Sequence, residues 1–155
     1  QEPYASKLHP VGRLDKDTEG LLLLTDDGNL AHELLSPKKH VDKCYYAILD
    51  KKPEDEDIEA VRNGLDIGDE KKTMPAVLEL LEPSAKVPEG YPVRITIREG
   101  RFHQIKRMAH ALGANVLYLK RVSMGPLKLD PALKPGDYRP LTEEELASLK
   151  KLTNL

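Results

Sequence analysis

The chain reads as an α+β domain built on a largely antiparallel sheet, and three observations point there. Short β-rich runs and amphipathic helical runs follow one another in mixed order, without the regular strand–helix alternation of a parallel sheet. The run YPVRITIRE, residues 91–99, alternates Val93, Ile95 and Ile97 against Arg94, Thr96 and Arg98, the period of a strand with one buried face. At 155 residues, 39% hydrophobic and 32% charged, the chain is long enough for one core and too apolar for disorder.

Taken in order, LLLLT (21–25) is short, apolar and followed by the turn signal DDGN, so it reads as a buried strand. NLAHELL (29–35) is a short helix stopped by Pro37. KCYYAILD (43–50) is β-rich and carries an aromatic pair, hence a strand. Between Pro53 and Leu65, Ile58, Val61 and Leu65 recur at helical spacing, and Gly64 marks the end. AVLELLE (76–82) is a strand, linked to 91–99 through Pro83, Pro88 and Gly90. HQIKRMAHALG (103–113) is the clearest helix: Ile105, Met108, Ala109 and Leu112 form one stripe and Gly113 stops it. NVLYLKRVS (115–123) and PLKLD (126–130) are further strands. Thr142 and Glu145 form a capping box that opens a last helix, with Leu146 and Leu149 turned inward.

Bulk properties bound the class. No apolar run is long enough to span a membrane, and the N-terminus has no charged-then-apolar leader. The single cysteine, Cys44, rules out an internal disulfide or a multi-cysteine zinc site; in a strand it is expected to be buried and inert, which suits a reducing cytoplasm. The histidines, His9, His32, His40, His103 and His110, lack metal-ligand spacing, so no metal is expected. The chain opens on QEPYASKLHP without a methionine, and upstream sequence is expected beyond it. The net charge of −2 hides an asymmetry: EDEDIE (54–59) is almost all acidic, whereas REGRFHQIKR (98–107) sets Arg98, Arg101, Lys106 and Arg107 against Glu99.

Three motifs carry chemistry. In GRLDKD (12–17), an acid stands just before a strand bound for the core, with Arg13 nearby. Such a carboxylate is partly desolvated yet stays ionised, as a nucleophile or base requires, and spacing leaves Asp15 and Asp17 as alternatives. In GRFHQIKR (100–107), a helix N-terminus meets Arg101, Lys106 and Arg107, a candidate anion site. In LKR (119–121), Lys120 and Arg121 project to opposite faces of a strand, one of them a candidate phosphate contact. Tyr45 and Tyr46 likewise face opposite ways, and a tyrosine facing a cleft suits stacking on a nucleobase.

Together, GRLDKDTEGLLLLTDDG, VDKCYYAI, EGRFHQIKRMAHALG, LKRVSMGPLKL and LKPGDYRPLTEEEL resemble the successive motifs of the bacterial ribosomal RNA pseudouridine synthases, from about residue 10 to 150, and most of all the branch that modifies small-subunit RNA. The resemblance implies that residues 1–155 are one catalytic domain with the pseudouridine synthase fold, a mixed, mostly antiparallel sheet with a central cleft. It implies a cofactor-independent isomerase, monomeric and cytoplasmic, whose partner is small-subunit ribosomal RNA or its assembly intermediate. Asp15 would be the essential aspartate, Tyr45 the ring that stacks on the target base, and Lys106 the basic partner of the aspartate, where many relatives carry Arg. Arg13, Arg101, His103, Gln104, Arg107 and Arg121 would line the RNA path. Members of the branch begin with a small RNA-binding domain and a first strand that this chain lacks, and part of the phosphate affinity would lie there. A synthase for large-subunit RNA and a non-catalytic RNA-binding or assembly module on the same fold are the alternatives.

Overall fold

A computed structural model of the chain describes residues 8–12, 14–36, 41–83, 85 and 87–153. Arg13 and Pro37 lie outside them. A two-stranded ribbon pairs β1 (His9–Val11) with β3 (Leu23–Thr25), antiparallel. Between them, β2 (Glu19–Gly20) joins the main sheet. That sheet is completed by β4 (Lys43–Leu49), β5 (Val77–Leu80), β6 (Tyr91–Ile97), β7 (Val116–Met124) and β8 (Leu127–Lys128). Its order is β2-β7-β4-β6-β5 with β8 on β7, and every pairing is antiparallel except the short β2–β7 bridge. The helices are α1 (Gly28–Leu35), α2 (Asp55–Asn63), α3 (Gln104–Ala111) and α4 (Glu143–Thr153). The α+β class read from the sequence is therefore the observed one. Among the described residues no helix is long and apolar enough to cross a membrane.

Two cores hold these elements. In the first, Leu49, Val93, Ile95 and Ile97 from the sheet meet Val61 of α2 and Ile105 and Met108 of α3, all buried. This is the inner face that the alternation in 91–99 and the stripe of 103–113 define. In the second, Val11 and Leu23 of the ribbon meet Leu30 and Leu34 of α1, Met124 and Leu127 of the β7–β8 turn, and Leu149 of α4. Each such side chain contributes about 1.5–3 kcal/mol on full burial. The helix ends follow local chemistry. Asp27 caps α1 by accepting from Leu30 N–H at 3.1 Å. Gly113, at φ +81°, turns the chain out of α3. The Thr142–Glu145 capping box is present in both directions, at 2.9 and 3.1 Å.

Several details differ from the sequence reading. The four leucines are not a uniformly buried run: Leu23 is 6% exposed, while Leu22 and Leu24 are 40% and 47% exposed. Only Leu23 and Leu24 lie in a strand, β3, which sits in a ribbon covered on one face, so they alternate in and out. Leu146 is 38% exposed although Leu149 is fully buried. Cys44 is half-buried on the outer face of β4. The two short strands β1 and β2 left no pattern to read.

Candidate active site

Gly12, Leu14, Asp15 and Thr18, the inner face of β4 and β7, and the start of α3 together enclose a cavity of about 120 Å³. Its lining includes Asp15, Lys43, Tyr45, His103 and Arg121. Lys43 and Tyr45 share the inner face because they stand two apart on β4. Arg121 reaches the same face through a bulge. Cys44 lies opposite Ser123, but Tyr45 lies opposite Arg121, so Val122 is an extra residue in β7. Without it, Tyr45 would face Val122 and Arg121 would turn to the outer surface. Lys120, opposite Tyr46, keeps that outer position.

The β1–β2 loop is tied to this wall. Leu21 N–H donates to the Arg121 carbonyl at 2.8 Å, and Arg121 Nε donates back to the Leu21 carbonyl at 2.8 Å. Gly20 makes the approach possible: a Cβ there, at φ +119°, would lie 2.2 Å from the Arg121 carbonyl oxygen. Arg121 is 2% exposed, and its Nη2 is buried with no hydrogen-bond partner among the described residues.

Asp15 sits at the lip, its side chain 26% exposed, in a turn closed by Thr18 N–H donating to the Asp15 carbonyl at 2.9 Å. His103 Nδ1 is buried and lies 2.9 Å from Asp15 Oδ2, an ion pair whenever the ring is protonated. His103 is the non-glycine residue with positive φ, +49°, among the described residues. Holding it there costs about 1–2 kcal/mol, and the turn brings its ring to the carboxylate just before α3 begins. Lys106 Nζ is 3.9 Å from Asp15 Oδ2 and 2.5 Å from Asp17 Oδ1. Asp17 is largely exposed, and Lys106 above all holds its carboxyl below the ordinary aspartate range. Lys43 is perturbed the other way: burial first, then the Arg121 guanidinium, lowers the ammonium below the ordinary lysine range, against the pull of Glu99.

Folding surrounds the cationic block 98–107 with acceptors. Arg101 donates to Glu99, Asp69 and the carbonyls of Lys71 and Lys72, at 2.7–3.3 Å. Arg107 donates to Asp69 and to the carbonyls of Phe102 and Ile67. Gln104 is buried, donating to Glu99 and accepting from Arg101 N–H. These three side chains brace the loop before α3. Arg98 lies farther out, on Asp42. Arg13 falls outside the described residues.

Of the expected residues, the fold therefore brings Asp15, Tyr45, Arg101, His103, Gln104 and Arg121 to one cavity, with Lys106 near Asp15 from outside. Sequence reading missed Lys43 and Glu99. Lys43 left a signal, since it shares a strand face with Tyr45. Glu99, which also accepts from Met74 N–H at 2.7 Å, left none. A carboxylate at the lip, an aromatic ring inside and deep positive charge suit a flat polar ring on which negative charge develops.

Comparison with known proteins gives this arrangement a family. The family model described as RNA pseudouridylate synthase matches residues 1–111. An uncharacterized RNA pseudouridine synthase of Bacillus subtilis, YtzG, is 54% identical over 142 residues, covering 92% of this chain and 58% of that protein. Ribosomal small subunit pseudouridine synthase A of Escherichia coli K12 is 48% identical over 149 residues, covering 96% of this chain and 62% of that one. The chain thus spans about three fifths of the length of these curated relatives. A crystal structure of a pseudouridylate synthase superposes with a TM-score of 0.88 at 45% identity, over 96% of this chain and 62% of the other. The chain belongs to the RNA pseudouridylate synthase family.

Proposed function

We propose that this protein isomerises a uridine of small-subunit ribosomal RNA to pseudouridine, with Asp15 as the acting carboxylate. The observation that carries the reading is the position of Asp15, fixed by a turn at the mouth of a cavity that Tyr45 lines and with a cation 3.9 Å away. A reacting group must be held to a fraction of an ångström, and a turn tied to a buried strand does this. The 48% identity to a small-subunit synthase over nearly the whole chain supports the choice of RNA.

In this reading the target uridine leaves its stack, and its base enters the cavity against Tyr45. Asp15 acts on the sugar, as a nucleophile at C1′ or as a base at C2′. Lys106 sets a positive charge beside that carboxylate. The base detaches at N1, turns, and rejoins through C5. Tyr45 and the cavity walls keep it from diffusing away between the two bonds.

The test is a map of every uridine in small-subunit RNA, free and in assembly intermediates, after incubation with the protein or its Asp15→Asn form. One new pseudouridine, lost with Asp15→Asn, is the expected result. No product on any ribosomal RNA from folded protein overturns the reading.

A further inference from the structure

Lys43 and Arg121 have no role in the chemistry described so far, yet both line the cavity. Arg121 stands directly across from Tyr45, and Lys43 lies two residues along the same strand face. Burial above all, and then the neighbouring Arg121 guanidinium, lowers the basicity of Lys43. A buried N–H without a partner, such as Arg121 Nη2, is costly to leave unsatisfied. The loop before α3 makes room for the ammonium: a Cβ at Gly100 would lie 3.0 Å from Lys43 Nζ. A bulge, a glycine and an unfavourable charge pair thus converge on donors that face the cavity.

We infer that Lys43 and Arg121 hold the uracil as an anion, Nζ and Nη2 donating to its two carbonyl oxygens while it is detached from the sugar. The inference rests on the synthase reading above. When the C1′–N1 bond breaks, its electron pair leaves with the base, and the negative charge spreads over N1, O2 and O4. C1′ is satisfied by a new bond to an Asp15 oxygen, or by a double bond to C2′ once Asp15 has taken the C2′ proton. C5 then bonds to C1′, and Asp15 leaves or returns its proton. The C5 proton departs and N1 gains one, so the sum is an isomerisation. Half a turn about the N3–C6 line exchanges N1 with C5 and also O2 with O4. A pair of donors set for the two oxygens before the turn therefore fits them after it. Fixed donors at the site of developing charge need no reorganisation during the step.

The test compares single-turnover rates of C1′–N1 bond breakage, read as loss of the target nucleoside, on small-subunit RNA, free or assembled with its ribosomal proteins, carrying uridine or 5-fluorouridine at the target. A fluorine at C5 cannot leave as a proton does, so the fluorinated substrate is followed only as far as the C5–C1′ adduct. Fluorine stabilises the departing anion, so the modified base depends less on protein donors. Lys43→Met should slow the uridine substrate roughly 100-fold and the fluorinated one no more than about 10-fold. RNA affinity and melting temperature should hold, and Lys43→Arg should restore most of the rate. Arg121→Lys, which keeps the charge but moves the donor, should show the same asymmetry and serves if Lys43→Met fails to fold. Equal slowing on both substrates, or a loss matched by weaker RNA binding, overturns the inference. Unsubstituted protein that forms no pseudouridine sinks the synthase reading and this inference with it. Active unsubstituted protein and an equally active Lys43→Met sink this inference alone.

Discussion

Lys106 stands between two carboxylates, 2.5 Å from Asp17 and 3.9 Å from Asp15. The nearer acid is the exposed one, so the ammonium is anchored at the rim and leans toward the partly buried Asp15. Under the proposed function, Asp17 positions the cation and takes no part in the chemistry. Asp17→Asn should leave pseudouridine formation within a few-fold of normal and the melting temperature nearly unchanged, because exposed ion pairs contribute little. Lys106→Met should slow turnover roughly 100-fold by removing the compensating charge. Parallel rate measurements on the three proteins check this; an Asp17→Asn protein as dead as Asp15→Asn would reverse the assignment.

Two glycines should respond oppositely to alanine. At Gly20 the backbone has a positive φ, and a new Cβ would meet three backbone atoms of Arg121 at 2.2–2.9 Å. Gly20→Ala should cost roughly 3 kcal/mol or more, from overpacking and left-handed strain combined. It should also loosen the loop that carries Asp15. At Gly28, the first residue of α1, a Cβ meets nothing within 4 Å. Gly28→Ala should stabilise by about 0.5 kcal/mol through the unfolded chain. Urea melts of the two variants give both signs.

The elements with a clear period were legible in the sequence. The alternation at Val93, Ile95 and Ile97 and the stripe at Ile105, Met108 and Ala109 define the buried faces that the fold uses. The Thr142–Glu145 box opens the last helix as its spacing implies. The cavity was harder to read, because tertiary pairing decides it. Nothing in LKRVS announces a bulge at Val122, and without the bulge Arg121 would belong to the outer face. Nor does the basic block 98–107 declare its partners, which come from Asp42, Asp69 and the carbonyls of a loop about thirty residues earlier. Spacing left Asp15 and Asp17 as equals; burial separates them, at 26% and 71% exposed.

The attachment of α4 should weaken in acid. Arg139 grips Glu145 with two hydrogen bonds, at 2.9 and 3.2 Å, and also Asp130 at 3.0 Å. Arg139 first, and then Thr142 N–H, pull the Glu145 carboxyl down to about 2. A carboxyl whose folded pKa is depressed stabilises the fold above its unfolded value, and that contribution fades as pH falls through the folded one. The window therefore runs from the ordinary glutamate range down to about 2. Glu145→Gln should be less stable than the parent at neutral pH, with the gap closing across that window. Denaturant midpoints for both proteins at a series of acid pH values would reveal it; a constant gap would mean that packing, not charge, holds α4.

Phe102 is 74% exposed, beside the lip of the cavity, with its ring 3.8 Å from that of His103 in an edge-on pair. An aromatic ring left in water at such a place contributes little to the fold. Its backbone carbonyl holds Arg107 Nε, and a side-chain substitution leaves that bond in place. Phe102→Ala should therefore shift stability by no more than about 0.5 kcal/mol. A base displaced from its stack, or the neighbour it leaves behind, offers a face for this ring, and one such contact is worth about 1–3 kcal/mol. RNA affinity should then fall roughly tenfold, while the single-turnover rate at saturating RNA changes little. Binding and rate measured on the same variant separate the cases. Unchanged affinity removes Phe102 from the RNA contact, and a joint loss of affinity and melting temperature makes it a support for the His103 turn.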